Sequence, residues 1–396
     1  MYRLGITIIQ LIFILSVAQR NFQSKLMKMV KYQHLVYCVL LFISLIDLRT
    51  AARSNPPDDV LEWVQKDDRR FLRANIRVGD INRTIKFYTE FFGMKVLSRK
   101  DFPEVNISNA VIGFGSEETQ FVLGLSQHHS AVDKLELGTA FSHFGITTQD
   151  IYTMVEKIRA AGGVITREPG PVAPGGTTIY AFVNDPDGYS FELILRPPSP
   201  EPLNHMCLNV VDIDRSIEFY EKALGMNLLV PKYDNTQEQY TVAMVGYGSN
   251  YTQTTVIELK YNFNVTEYTK GNGYAQVAMG SGGTREFHLG GSCLNHIKSI
   301  HQLPVPMCAS EKFGGARATT GPLIVPPLAM GTDDVYKSAA AVEQAIQELG
   351  GKIIRPPGPL PIIGTKITAF LDSDGFETVL VDNEDYLNYL KQFKKE

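Results

Sequence analysis

The chain has 396 residues, 44% of them hydrophobic and 20% charged, which is the composition of a soluble globular protein with two or more domains. Its net charge of −4 leaves no basic surplus, which argues against nucleic acid as a partner. Four cysteines (Cys38, Cys207, Cys293 and Cys308) form no disulfide framework, so a reducing compartment is the default for the folded part.

Residues 1–55 read as a hydrophobic targeting segment. No acidic residue occurs from 1 to 46, and two apolar runs, 4–18 and 35–46, flank a basic patch at Lys25, Lys28 and Lys31. Neither run reaches the ~18–20 apolar residues that a membrane span needs, so organelle targeting or a secretory signal fits better than a stable membrane anchor. Later starts at Met27 or Met29 would give a cytoplasmic product. Secretion is the less favoured route; only there would the N-x-S/T sites at Asn82, Asn106, Asn250 and Asn264 matter.

The body of the chain is a repeat. Asp80-Ile81-Asn82-Arg83-Thr84-Ile85-Lys86-Phe87-Tyr88 returns as Asp212-Ile213-Asp214-Arg215-Ser216-Ile217-Glu218-Phe219-Tyr220, and Gly93-Met94 returns as Gly225-Met226. Residues 56–198 form one domain and 199–396 a second, joined at the stiff linker Arg196-Pro197-Pro198-Ser199-Pro200-Glu201-Pro202. Each half divides again. The first unit opens with a strand at 71–78 and a helix with Ile85, Tyr88 and Phe92 on one face, followed by three strands. The second unit has a strand at 140–147, a helix at 151–161, a strand at 178–183, the turn Asp185-Pro186-Asp187-Gly188, and a strand at 189–195. The fourth unit repeats these signals as Gly350-Gly351, Pro357-Gly358-Pro359 and Asp372-Ser373-Asp374-Gly375. The reading is an α+β protein of four βαβββ units.

One stretch, at about 280–330, breaks the pattern. Ala278-Met279-Gly280 recurs as Ala329-Met330-Gly331, and excising one copy with the residues between them aligns Gln276 with His143. The stretch reads as an irregular surface loop, a non-native splice product between a strand and its helix, where connections are ordinarily short. Its Cys293, His296, His301 and Cys308 do not match the spacing of a standard zinc module.

Comparing the first and last strands of the four units isolates the chemistry. The second unit offers His143 and Glu192, the third His205 and Glu258; each pair lies about 50 residues apart. The first unit holds Arg73 and Gly124 at these positions, and the fourth Gln276 and Val379. A lone histidine in an apolar strand is ordinarily a core or surface residue, and a lone glutamate ordinarily faces solvent. Two matched pairs, each glutamate between apolar neighbours, point instead to a metal, because a buried carboxylate is costly unless paired or ligated. Two imidazoles with two carboxylates suit Zn, Ni, Co or Mn. If first and last strands are neighbours, each pair converges on one concave face, and two such sheets facing each other would bring four ligands together. The sequence thus predicts one metal site and one degenerate site, made of Arg73, Gly124, Gln276 and Val379.

With Arg77-Val78-Gly79-Asp80, Phe87-Tyr88, Arg167-Glu168-Pro169-Gly170-Pro171, Asp185-Pro186-Asp187-Gly188, Tyr261-Asn262 and Asp333-Asp334-Val335-Tyr336, the chain resembles plant-type two-domain glyoxalase I (the lactoylglutathione lyases) of the vicinal oxygen chelate superfamily. The resemblance covers about 58–388, less the insertion. It implies two paired-sheet barrels and a carbon–sulfur lyase activity that isomerises the hemithioacetal of methylglyoxal and glutathione to S-lactoylglutathione. It also implies one Ni or Zn ion and glutathione as co-substrate; the chain is expected to be a monomer, and the N-terminal segment points to a plastid or other organelle. The second and third units would share the working site, with Glu192 as base and Glu258 handling the return proton. The family often carries Gln where this chain has His205. Asn262 matches a substrate-binding position. Asn209 stands where the family carries an Arg, Arg77 keeps that Arg in the first unit, and Ala173 replaces an expected Lys; Asn262, Asn209 and Arg77 are the candidate substrate contacts. Two other readings remain: a divergent epimerase or ring-cleaving dioxygenase of the superfamily, the latter holding iron with two His and one carboxylate, and a metal-free binding protein that kept the fold.

Overall fold

The computed structural model describes residues 58–393 apart from 104–105, 130–134, 173–175, 275–278, 282–284, 288–327 and 361–363. The targeting segment, Ala173, Gln276 and the Cys/His group at 293–308 therefore lie outside the described residues. Among the described residues no helix is long and apolar enough to cross a membrane.

A leading helix, α1 (Asp58–Lys66), precedes the four units. The first unit is β1 (Arg70–Arg77), α2 (Ile81–Phe87), β2 (Lys95–Phe102), β3 (Ile107–Gly113) and β4 (Val122–His128). The second is β5 (Phe141–Thr148), α3 (Ile151–Ala160), β6 (Val164–Pro171), β7 (Ile179–Asn184) and β8 (Ser190–Leu195). The third is β9 (Leu203–Asn209), α4 (Ile213–Leu224), β10 (Asn227–Asn235), β11 (Tyr240–Gly246) and β12 (Val256–Asn262). A short ladder of β13 (Met279–Ser281) and β14 (Arg285–Phe287) follows. The fourth unit is β15 (Leu328–Thr332), α5 (Val335–Leu349), β16 (Lys352–Pro359), β17 (Lys366–Leu371) and β18 (Glu377–Asp382), and α6 (Asn383–Phe393) closes the chain.

Each unit helix starts on an aspartate. Asp80, Asp150, Asp212 and Asp334 accept backbone N–H groups two or three residues ahead, satisfying donors that a helix start leaves open. The first helix departs from the regular period. After Phe87 it widens into a π turn over Tyr88–Phe92, so Phe87 and Phe92, five residues apart, meet edge to face at 5.4 Å. Tyr88 and Phe92 are buried as expected, whereas Ile85 is only half-buried.

The strands form two eight-stranded mixed sheets, the α+β architecture expected. Sheet A runs β16-β17-β18-β15-β1-β4-β3-β2 and sheet B runs β10-β11-β12-β9-β5-β8-β7-β6. First and last strands of each unit are parallel neighbours, and the units join through antiparallel seams, β1 with β15 and β5 with β9. Two expectations change here. The four ligands do not come from two facing sheets, because the second and third units join edge to edge into one. The strand of the fourth unit is Leu328–Thr332, from the far side of the insertion. Ala329 pairs with Val379 as Gly145 pairs with Glu192; Gln276 lies outside the described residues.

One apolar core draws on both sheets and on all four unit helices, with Tyr88, Phe144, Phe191, Phe219 and Phe370 fully buried in it. Its alternation sets the site: Phe144 and Ile146 point into the core, so His143 and Gly145 point to the outer face of sheet B.

The acidic turns carry more than a chain reversal. Asp187 accepts from Gly79 N, Arg83 and Thr84 of the first unit, and Asp185 accepts the Tyr88 hydroxyl at 2.8 Å. Asp374 and Asp372 do the same for Val211 N, Arg215, Ser216 and Tyr220 of the third unit. Each turn thus ties a helix of one sheet's unit to the other sheet. Burial pushes the Asp185 and Asp372 carboxyls up to about 6, against the hydrogen bonds from Tyr88 and Tyr220 that favour the charged form. A raised carboxyl is held more tightly as the neutral acid in the folded state, so its contribution falls as pH rises from the unfolded value near 4 to about 6. We predict that the pair Asp185→Asn and Asp372→Asn loses less stability than the parent chain between pH 4 and pH 7. The gain reaches about 3 kcal/mol per carboxyl at most, at ~1.4 kcal/mol per pKa unit. Denaturant titrations at the two pH values measure it; equal losses would contradict the assignment.

Candidate metal centre

Four adjacent strands, β12-β9-β5-β8, build the site across the seam. His143 pairs with Cys207 and Gly145 with His205 across β5 and β9; Glu192 sits beside Gly145 and Glu258 beside Cys207 on the outer strands. Gly145 is required, since a Cβ there would overlap the His205 ring. His143, Glu192, His205 and Glu258 each offer one ligand atom, all within 4.8 Å of one another. His205 Nε2 lies 3.1 Å from Glu192 Oε2 and 3.7 Å from Glu258 Oε2; His143 Nε2 lies 3.6 Å from Glu192 Oε2. Three of the four are buried, His205 completely, and Glu192 is half-buried.

The residues fit a metal ion. Both Nε2 atoms are buried, and neither is in hydrogen-bond geometry with any described group, close as the carboxylates are. The other ring nitrogens are held: His205 Nδ1 donates to Asn204 Oδ1 at 3.4 Å and His143 Nδ1 hydrogen-bonds with Ser142 Oγ at 3.0 Å. Asn204 is anchored in turn on the carbonyls of Tyr251 and Thr254. Such outer contacts leave the Nε2 lone pairs for ligation and fix the ring planes.

The surrounding wall holds residues that the repeat comparison did not single out. Cys207 is buried beside the ligands and donates its thiol to Glu258 Oε1 at 3.5 Å. Burial, with the Glu258 charge, pushes that thiol far above its ordinary value, so it stays protonated and a donor. Lys260, on the same face as Glu258, lies over the Tyr240 ring at 4.2 Å. Burial, and the charges of Glu238, Glu258 and Glu192, push the Tyr240 phenol up despite its hydrogen bond with Asn235. Arg167 lies over the Tyr180 ring at 4.1 Å and pairs with Glu238 at 3.1 Å. That ion pair spans from the β6 edge of sheet B to the β10–β11 turn at the opposite edge. Signals for Lys260 and Cys207 were present as i+2 neighbours of Glu258 and His205, but only the register makes them wall.

The substrate-contact candidates divide. Asn262 Nδ2 donates to Asn209 Oδ1 at 3.1 Å and to the Tyr268 hydroxyl at 2.9 Å, and Asn209 Nδ2 donates to Thr139 O, so these two form one network beside the cup. Arg77 is on β1 in sheet A, where its carbonyl accepts the Tyr189 hydroxyl.

Of the degenerate positions, Arg73, Gly124 and Val379 lie in sheet A, and Gln276 lies outside the described residues. Arg73 takes the register of His205, and its Nε donates to Glu117 at 2.8 Å. The Tyr386 hydroxyl of α6 donates to the same carboxylate. Gly124 admits the Asn75 side chain that a Cβ would displace, and Val379 packs with Leu72, Ile367 and Tyr386 in a second apolar cluster. A guanidinium and an apolar plug thus stand where the other cup has ligands.

The Glyoxalase/Bleomycin resistance protein/Dioxygenase superfamily model matches this chain twice, at residues 70–193 and 202–380. A lactoylglutathione lyase of Arabidopsis thaliana, GLX1, is 48% identical over 84% of this chain and 98% of its own. One of Oryza sativa subsp. japonica is 49% identical over 85% of this chain and 97% of its own. The crystal structure of glyoxalase I from Zea mays superposes with a TM-score of 0.67 at 46% identity, covering 83% of this chain and 98% of that one.

Metal loading is predicted to release a proton. Burial alone would lower the His205 pKa, but the Glu192 carboxylate beside it and the Glu258 charge outweigh burial and raise it. The His143 and His205 side chains in turn hold Glu192 well below the usual carboxylate range against the effect of burial. Below the raised His205 value a metal must displace that proton, so affinity climbs with pH and levels off above it. Calorimetry of Ni or Zn binding in two buffers of different ionisation enthalpy should find more proton release at pH 6 than at pH 9; pH-independent binding would rule this out.

Proposed function

This chain belongs to the lactoylglutathione lyases of the Glyoxalase/Bleomycin resistance protein/Dioxygenase superfamily, and on that premise we propose that the cup of sheet B isomerises the hemithioacetal of methylglyoxal and glutathione to S-lactoylglutathione with one Ni or Zn ion. The observation that carries the reading is the convergence of two buried, orphaned imidazole nitrogens with two carboxylates. Both carboxylates reach the same point, which favours the isomerase over a dioxygenase built on two His and one carboxylate. The protein acts as a monomer, since one chain supplies all four ligands.

His143, Glu192, His205 and Glu258 would hold the ion. When bound, it supplies Lewis-acid polarisation of the two neighbouring substrate oxygens. Glu192 is the ligand most open to the cup and is ionised at neutral pH, so it takes the proton from the carbon bearing sulfur. Glu258, steadied by the Cys207 thiol, delivers a proton to the adjacent carbon. One hydrogen moves between neighbouring carbons, with no net redox change. Phe182 walls the cup beside the ligands, its ring edge to face with that of His143 at 5.1 Å.

The glutathione moiety is acidic, and its carboxylates need cations. The family's Arg position holds Asn209, but Lys260 is its register partner on the neighbouring strand. The positive charge has moved across one ladder rung, and Lys260 replaces it. Arg167 is the second cation: its partly exposed pair with Glu238 is worth roughly 0–1 kcal/mol, little enough to exchange for a substrate carboxylate.

Purified protein lacking residues 1–55 should form S-lactoylglutathione when Ni or Zn is added. Stoichiometric metal uptake with no thioester would favour a binding protein. Glu192→Gln should lose at least ~100-fold in kcat, the scale of general-base removal, with metal still bound; near-normal turnover in that variant would sink the base assignment. Lys260→Thr should raise KM about tenfold with little change in kcat, the loss of one charge-assisted contact. Adding Asn209→Arg should restore KM; a KM indifferent to both changes would exclude Lys260.

A further inference from the structure

Each histidine of the metal cup follows a bulge in the seam. Phe141 pairs with Leu208 and His143 with Cys207, which leaves Ser142 as the extra residue; Gly145 pairs with His205 and Ile146 with Leu203, which leaves Asn204. A bulge takes a residue out of the alternation of its strand and re-aims the side chain. Ser142 and Asn204 thereby reach the Nδ1 atoms of the histidines that follow them. Sheet A has the matching bulge at Leu72, one residue before Arg73, where the side chain packs with Val379 in the second apolar cluster. An amide thus stands at this position in the cup with the ligands, and a leucine in the cup without them.

The Asn204 amide has a single allowed orientation. Its Nδ2 faces the carbonyls of Tyr251 at 2.9 Å and Thr254 at 3.3 Å, which only accept, and its Oδ1 faces Arg196 Nη1 at 3.3 Å, which only donates. Rotating the amide would set like against like at all three contacts. With the oxygen fixed, His205 Nδ1, 3.4 Å away, carries the hydrogen and leaves the lone pair on Nε2. The opposite tautomer has a partner of its own, because Glu192 Oε2 lies 3.1 Å from Nε2 and would accept a hydrogen there. The clamp on Asn204 comes from outside the cup. Arg196, half-buried, opens the Pro-rich linker between the halves and lies over the Tyr251 ring at 5.0 Å, and Ser199 of the same linker donates to Thr252 O at 2.9 Å. Linker and β11–β12 loop are thus bonded to each other and to Asn204. A hydroxyl can donate or accept, so Ser142 imposes no tautomer on His143.

We propose that Arg196 and Asn204 are positioning residues of the metal centre, which hold His205 as the Nδ1–H tautomer and aim its bare Nε2 at the ion. Given the metal-dependent reading of the cup, the linker readies one ligand before the ion arrives.

The ring nitrogens can be read directly in the full chain labelled with 15N-histidine, before metal is added and at a pH high enough to leave the ring neutral. Long-range 1H–15N spectra, with His205 identified by the signals lost in His205→Gln, should show Nδ1 protonated and Nε2 bare. Asn204→Leu, which installs the residue that sheet A carries at its matching bulge, should move the hydrogen to Nε2 and weaken Ni or Zn binding at least ~10-fold, the low end for loss of an outer contact. Arg196→Met keeps the stem without the donors and should give a mixture of tautomers with a smaller loss of affinity; Arg196→Lys, again a donor-only group, should recover most of both. The proposal is overturned by a bare Nδ1 in the parent chain, or by Asn204→Leu and Arg196→Met proteins that keep the parent tautomer. A loss in Arg196→Met that Arg196→Lys does not reduce would make Arg196 a packing residue and overturn its role. The tautomer is read without metal or substrate, so a chain with Nδ1–H at His205 and tight metal but no thioester would sink the isomerase reading and support this one.

Discussion

The antiparallel seam between β5 and β9 is the constraint on which everything else rests. Each half of the duplication carries only two ligands, and neither pair can complete a metal site alone. Pairing Gly145 with His205 and His143 with Cys207 puts the two pairs on one face at contact distance. The seam also forces the glycine, because the His205 ring occupies the space where a Cβ would project. A one-residue slip would turn all the side chains of one strand to the opposite face, so the metal site and the core share one register.

The seam would be weak if the sheets were free to separate. Crosswise contacts from the turns at Asp185 and Asp372 hold them, each turn gripping the start and the tyrosine of a helix in the neighbouring unit. One core then lies beneath both cups. Sheet A has the corresponding strand order and register but carries Arg73, Gly124 and Val379 at the matching positions. A buried guanidinium there needs a carboxylate, and Arg73 has Glu117, with Tyr386 on the same oxygen. Removing one partner of such a buried pair is far more costly than never having had it, so the substitutions stand or fall together.

The wall of the metal cup shows the same interdependence. Asn209 and Lys260 are register partners, so a cation lost on one strand can be supplied by the next without moving the site of positive charge by more than a strand spacing, about 4.8 Å. Arg167 and Glu238 come from opposite edges of sheet B, and their ion pair bridges those edges. Cys207 steadies Glu258 from between the histidines.

Much of this protein was legible in its sequence. The four units follow from the repeat, their helix starts from Asp80, Asp150, Asp212 and Asp334, and the strands from short apolar runs between Gly and Pro signals, because each depends on residues within a few positions of one another. The four residues of the candidate metal centre could be picked out too, since the duplication let His143 and Glu192 be compared with His205 and Glu258. The tertiary structure alone decided the rest: that the ligands meet across an edge-to-edge seam, that Leu328–Thr332 and not the earlier copy of Ala-Met-Gly supplies the fourth unit's strand, that Phe87 and Phe92 meet through a π turn, and that Lys260 stands opposite Asn209. Each of these depends on a register or a pairing between strands or turns far apart in the chain, and no local period in the sequence records which distant partner a strand will take.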